Sequence, residues 1–132
     1  MAMYGQGITR GRVALLGIEA ATNQACAAIM PTSSKRISSP FLYYFFEYHY
    51  ENLRKLGHGA NQRNMNAALI RGFPTAFPKP NEQAEIVTAL EALDAKRLLH
   101  GRKRIQLQDL FRTLLQELMT AKTRVHELEI TA

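Results

Sequence analysis

The sequence predicts an α+β protein, a small body of short strands and helices followed by one long coiled-coil-type helix. Three observations carry that expectation. From Asn81 to about Ala121 only Gly101 could interrupt a helix, and Ile86, Leu90 and Leu93, then Leu107, Leu110, Leu114 and Leu118, recur at steps of three or four with Phe111 alongside. Ahead of that stretch the apolar runs are short and bounded by glycine and proline, which is strand-and-turn patterning. The charge is also divided unequally. Residues 1–80 hold nine Lys and Arg against three Glu, residues 81–132 hold eight against eight, and the net charge of +6 therefore belongs to the body.

Residues 1–31 read as a pair of strands behind a turn-rich start. Arg12 to Leu16 is one apolar run, ended by Gly17, and Ala25 to Met30 is another, stopped by Pro31. Gly5, Gly7 and Gly11 give G-x-G-x-x-x-G, the wrong spacing for a dinucleotide fingerprint, and no strand precedes them. Two readings stand for this turn: a plain β-turn, or one that presents Thr9, Arg10 and Arg12 to a partner. Thr32 to Ser39 is a polar loop carrying Lys35 and Arg36.

Ser39 followed by Pro40 supplies an N-cap and a first-turn proline, so Phe41 to Leu56 reads as a helix closed by Gly57. Seven of the eleven aromatic residues lie between Phe41 and Tyr50. Leu42, Phe46, Leu53 and Leu56, with Phe45 beside them, form a stripe that makes most of these rings core, with a base-stacking platform as the alternative. Arg54 and Lys55 suit the helix dipole in the last turn without any ligand.

Gly57 to Asn66 is the most polar loop. Asn61, Gln62, Arg63 and Asn64 are amide and guanidinium side chains of the kind that read base edges in pairs of hydrogen bonds, Arg for guanine and Asn or Gln for adenine. The same composition also fits an ordinary loop in which Asn66 caps a short helix from Ala67 to Arg71. Phe73 to Phe77, with Pro74 within it and Pro78 after it, reads as a short edge strand. Pro80 and Asn81, with Glu82 and Glu85 in the first turn, then start the long helix, which at 1.5 Å per residue is roughly 60 Å long. That length exceeds what a small body can cover, so part of the stripe needs another helix. Gly101, between the two leucine groups, reads as a kink or crossing point inside the helix, at about 1 kcal/mol against Ala.

The totals restrict the function. One cysteine, Cys26, rules out an intramolecular disulfide and a structural zinc site of thiolates. It lies in an apolar run, where a small core residue is expected. The chain has no basic-then-apolar leader, and no apolar run approaches the roughly 18 residues of a membrane span, so a soluble cytoplasmic protein without membrane contact is expected. No P-loop, H-E-x-x-H, C-x-x-C or G-x-S-x-G appears, and the Glu47 and Glu51 neighbours of His49 point to other helix faces. Neither catalysis nor a cofactor or metal is expected. A basic body on a neutral helix fits a nucleic-acid-binding head on a protein-binding stalk, and it also fits a solvated basic surface.

The order of these features resembles the specificity subunits of type I restriction-modification enzymes. The stretches that carry the resemblance are residues 7–16 and 22–29, Phe41-Leu42-Tyr43, Gly59 to Leu69, residues 110–115 and 118–125, and above all Pro78-Lys79-Pro80-Asn81-Glu82-Gln83-Ala84-Glu85-Ile86. The last of these follows a Pro-x-Pro-x-Glu-Gln-x-x-Ile pattern. The resemblance covers essentially the whole chain, as the back half of a target recognition domain, residues 1–80, and one conserved-region helix, residues 81–132. It implies a non-catalytic reader of double-stranded DNA that recognises part of a split target, its helix docking methyltransferase (modification) subunits. Thr9, Arg10, Arg12, Lys35, Arg36, Asn61, Gln62, Arg63 and Asn64 are the candidate DNA contacts. A family subunit has two recognition domains and two long helices, whereas here there is one helix and the front of the domain is absent. A homodimer through Ile86, Leu90, Leu93, Leu107, Leu110, Phe111, Leu114 and Leu118 is therefore expected, in a fragment or a truncated product. An assembly module that pairs through the helix and no longer reads DNA is the alternative.

Overall fold

The computed structural model describes residues 1–5, 8–33, 36–56 and 65–127. Among these residues four helices follow in order, α1 (Ser39–Tyr48), α2 (Tyr50–Lys55), α3 (Ala67–Arg71) and α4 (Pro80–Met119), then a 3₁₀ turn at Val125–Glu127. The expected α+β class is not what forms. Among the described residues there is no sheet, and the strand-like pairing is one isolated antiparallel bridge between Ala2 and Cys26.

The reason lies in the partners available. Residues 1–3 run extended between two segments: Ala2 donates to the Arg12 carbonyl and accepts from Gly11 at 2.8 and 2.9 Å, while Met3 donates to Ala25 and Ala27 donates to Met1, each at 2.8 Å. Each pairing ends after a couple of residues. Beyond Arg12 the expected strand carries Leu15 and Leu16 into solvent, and Ile29 and Met30 of the second expected strand are exposed as well. Strand-forming side chains cannot make a ladder without a backbone alongside. Cys26, expected in the core, is exposed. The 73–77 segment is not a strand either: Pro74 has no N–H to donate, and Phe73 donates its amide back to Ile70 at 3.2 Å.

The chain forms two compact units, Met1–Ala89 and Leu90–Ala132. In the first, Leu42, Phe46, Leu53 and Met65 make the buried core, with Met1, Met3, Val13, Phe45, Phe73 and Phe77 against it. The rings meet mostly edge to face, Phe41 on Phe77 at 6.1 Å and Phe45 on Phe73 at 6.2 Å, the arrangement aromatic quadrupoles favour. The phenylalanines of the aromatic run are thus core, Phe41 and Phe46 buried and Phe45 packed against them, whereas Tyr43, Tyr44 and Tyr50 are half-buried and Tyr48 is exposed, so fewer of the rings are core than expected. The single helix expected over 41–56 is two helices, because His49, at ψ 12, turns the backbone between them while its ring lies 4.5 Å from Phe45 and 5.3 Å from Phe73. The N-cap of α1 is Ser38 and not Ser39, its hydroxyl accepting from Phe41 at 3.3 Å. Asn66 caps α3 as expected, accepting from Leu69 at 2.9 Å.

Gln83 closes this unit. It is 1% exposed, and its amide nitrogen donates to the carbonyls of Arg36 and Pro78, both at 2.9 Å, while its oxygen accepts from the Ser38 amide at 3.1 Å. In a capping box a Glu or Gln three residues into the helix reaches back to the N-cap amide. Here that position is Phe41, and a glutamine 45 residues away supplies the acceptor instead.

In the second unit α4 runs on through Gly101, where an added Cβ would meet nothing within 4 Å. It stops at Met119 with Ala121 in the left-handed region at φ 53. Lys122 donates to Glu117 at 2.9 Å and Ala121 to Leu118 at 3.2 Å, the paired bonds of a Schellman ending with alanine where glycine is usual.

Candidate nucleic-acid interface

The basic turn near the N-terminus is held against α2. Gly11, at φ +87 and buried, lies so close to α2 that a Cβ would come 3.4 Å from Arg54 Cγ and 3.6 Å from Tyr50 Cδ2. The Tyr50 hydroxyl donates to the Ile8 carbonyl, and Arg10 donates through Nη2 to the Arg54 carbonyl at 3.1 Å. With the turn fixed at both ends, the Arg12 guanidinium sits over the Tyr50 ring at 4.6 Å and that of Arg54 at 5.4 Å, both within cation–π range. Glu51, largely exposed, reaches Arg54 at 3.4 Å. Two guanidinium groups thus lie on one ring, with that of Arg10 bonded to the α2 backbone beside them and one carboxylate nearby, a locus of net positive charge.

Of the expected DNA contacts, Arg10 and Arg12 come together here, and Thr9 is exposed in the same turn, its carbonyl accepting from Arg12 at 3.2 Å. Arg36 belongs to another constellation. Its carbonyl is gripped by Gln83 and its side chain is exposed. Lys35, Asn61, Gln62, Arg63 and Asn64 lie outside the described residues. Tyr50 and Arg54 were not expected in the site, although their spacing of four residues puts them on one helix face. That spacing was the available signal; the link to the turn spans 42 residues for Tyr50 and 44 for Arg54.

On α4 the expected interface residues divide by exposure. Leu93, Leu107, Leu110 and Phe111 are exposed, the last two at 63% and 66%, whereas Ile86, Leu90, Leu114 and Leu118 are half-buried. Leu98, Leu99, Ile105, Leu115 and Met119, off the expected stripe, are exposed too. Ion pairs on this helix, Arg97 with Asp94 at 3.0 Å and Arg112 with Asp109 at 3.8 Å, lie at the surface and contribute little. Among the described residues no helix is long and apolar enough to cross a membrane.

Arginines gathered on a ring, in a body that holds the chain's whole charge excess, are features of a nucleic-acid-binding protein. Residues 3–109 match the family model of the type I restriction modification DNA specificity domain, and the chain belongs to that family. The resemblance drawn from Pro78 to Ile86 and the other stretches is borne out. Specificity domains recognise DNA within the restriction-modification complex and are non-catalytic subunits of it. No solved structure matches the chain.

Proposed function

We propose that this chain recognises part of a split double-stranded DNA target through its basic body, residues 1–80, and docks methyltransferase subunits through the helix of residues 81–132, catalysing nothing itself. The family match over residues 3–109 carries this reading, and the arginine cluster on Tyr50 together with the charge excess of residues 1–80 supports it. Arg10 and Arg12, with Lys35 and Arg36, supply phosphate contacts; Asn61, Gln62, Arg63 and Asn64 have the chemistry to read base edges. Shift assays are expected to give sequence-dependent binding that weakens steeply with salt. Gln62→Ala or Arg63→Ala should change the preference at one base pair by about 1–3 kcal/mol, and Lys35→Ala should weaken all sequences alike. Equal affinity for the target and for random duplexes would overturn DNA recognition.

A second reading rests on the exposed apolar residues of α4, Leu93, Leu107, Leu110 and Phe111. They support a helix that pairs with a second copy as a coiled coil, the chain then acting as an assembly module without reading DNA. Pairing or methyltransferase binding by a chain that shows no sequence preference would favour this reading over the first.

A further inference from the structure

Resting on the DNA-recognition reading, we propose that Arg12 is a seat for one backbone phosphate of duplex DNA and that Tyr50 is its positioning residue. Arg12 is exposed, and its guanidinium lies 4.6 Å from the centre of the Tyr50 ring. A stacked guanidinium keeps its N–H edge outward, so the contact that orients the group leaves its donors available to an oxyanion. The ring itself is not free to swing. It stands on α2, and its hydroxyl is bonded to the Ile8 carbonyl of the same turn that carries Arg12. Gly11 completes the mounting: at φ +87 it makes the bend that brings the turn into van der Waals reach of Arg54, Tyr50 and Leu53, 3.4 to 3.7 Å from where a Cβ would stand. Arg54 lies against the same ring and strengthens the positive field at the seat. None of these contacts distinguishes one base from another. The seat therefore sets the register of the protein on the duplex and leaves sequence choice elsewhere.

The test is the salt dependence of duplex binding by the full 132-residue chain. Arg12→Ala should lower the slope of log affinity against log salt by about one, the loss of one phosphate contact. Tyr50→Leu changes no charge, yet it should lower the slope by a similar amount, and adding Arg12→Ala to it should lower the slope no further. Tyr50→Phe, which keeps the ring, should retain most of the slope. Circular dichroism and thermal melts show whether each variant is folded, and Arg12→Ala, at an exposed position, decides the matter even if Tyr50→Leu does not fold. A wild-type slope in Arg12→Ala would overturn the phosphate seat, and one in a folded Tyr50→Leu would overturn the positioning role, each without touching the DNA-recognition reading. If the wild-type chain binds duplex DNA without salt dependence, or does not bind it, the DNA-recognition reading falls and this proposal falls with it.

Discussion

At the scale of single residues the decisive position is Gln83. Its two donors and its carbonyl oxygen meet the Arg36 and Pro78 carbonyls and the Ser38 amide inside a nearly water-free site. Gln83→Leu keeps much of the volume but strips three backbone groups of their partner, and each such loss costs about 1–3 kcal/mol. Urea or thermal unfolding should show a loss on the order of 3 kcal/mol, and one below about 1 kcal/mol would mean that water takes over the role. Gln83→Glu should be destabilised as well, because a carboxylate would face two carbonyl oxygens; its deficit should shrink on acidification, as protonation restores a donor. The Glu-Gln pair of the Pro-x-Pro pattern was legible as a family signature. What the glutamine does was not, since its partners are up to 47 residues away.

At the scale of elements, α3 and the start of α4 were legible because their signals are local: an asparagine cap for one, a first-turn proline for the other. The break between α1 and α2 was not. No glycine or proline lies between Phe41 and Leu56, and the turn at His49 answers to where its ring sits between Phe45 and Phe73. The expected strands failed on the same distinction, since Arg12 to Leu16 has strand composition but, among the described residues, its backbone bonds are made at Arg12 alone. The end of α4 was hidden by its residue, as alanine seldom takes the left-handed conformation that Ala121 adopts. Two substitutions in this unit should both stabilise. Ala121→Gly removes the cost of φ 53, and Gly101→Ala adds a methyl group where nothing lies within 4 Å, each by about 1 kcal/mol. A higher midpoint in thermal unfolding for each variant is the check.

At the scale of the whole molecule the charge is unevenly placed, all of the excess in residues 1–80 and none in residues 81–132. Positive charge in the body steers it toward a polyanion, while a helix with no net charge does not repel a second copy of itself. The basic turn of the candidate site was visible in the sequence as Arg10 and Arg12. Its mounting on Tyr50 was not, because a contact across 42 residues leaves no periodic trace. For the helix, sedimentation at micromolar concentration should find a dimer, and Leu110→Asp should yield a monomer, since pairing would bury an uncompensated carboxylate. A wild-type monomer under those conditions would overturn the homodimer reading, and dimers that persist in Leu110→Asp would place the seam on another face of α4.

The grip of Gln83 has a consequence for recombination between related chains. Gln83 and Val87, both buried, are part of the compact unit Met1–Ala89 although they lie in the first turns of α4. A chimera joined at Pro80 would graft a foreign glutamine position and a foreign valine position onto the body's own loops, whereas one joined after Ala89 carries them along. A junction that keeps the compact unit whole therefore lies inside the helix, and the part to be exchanged is longer by its first ten residues.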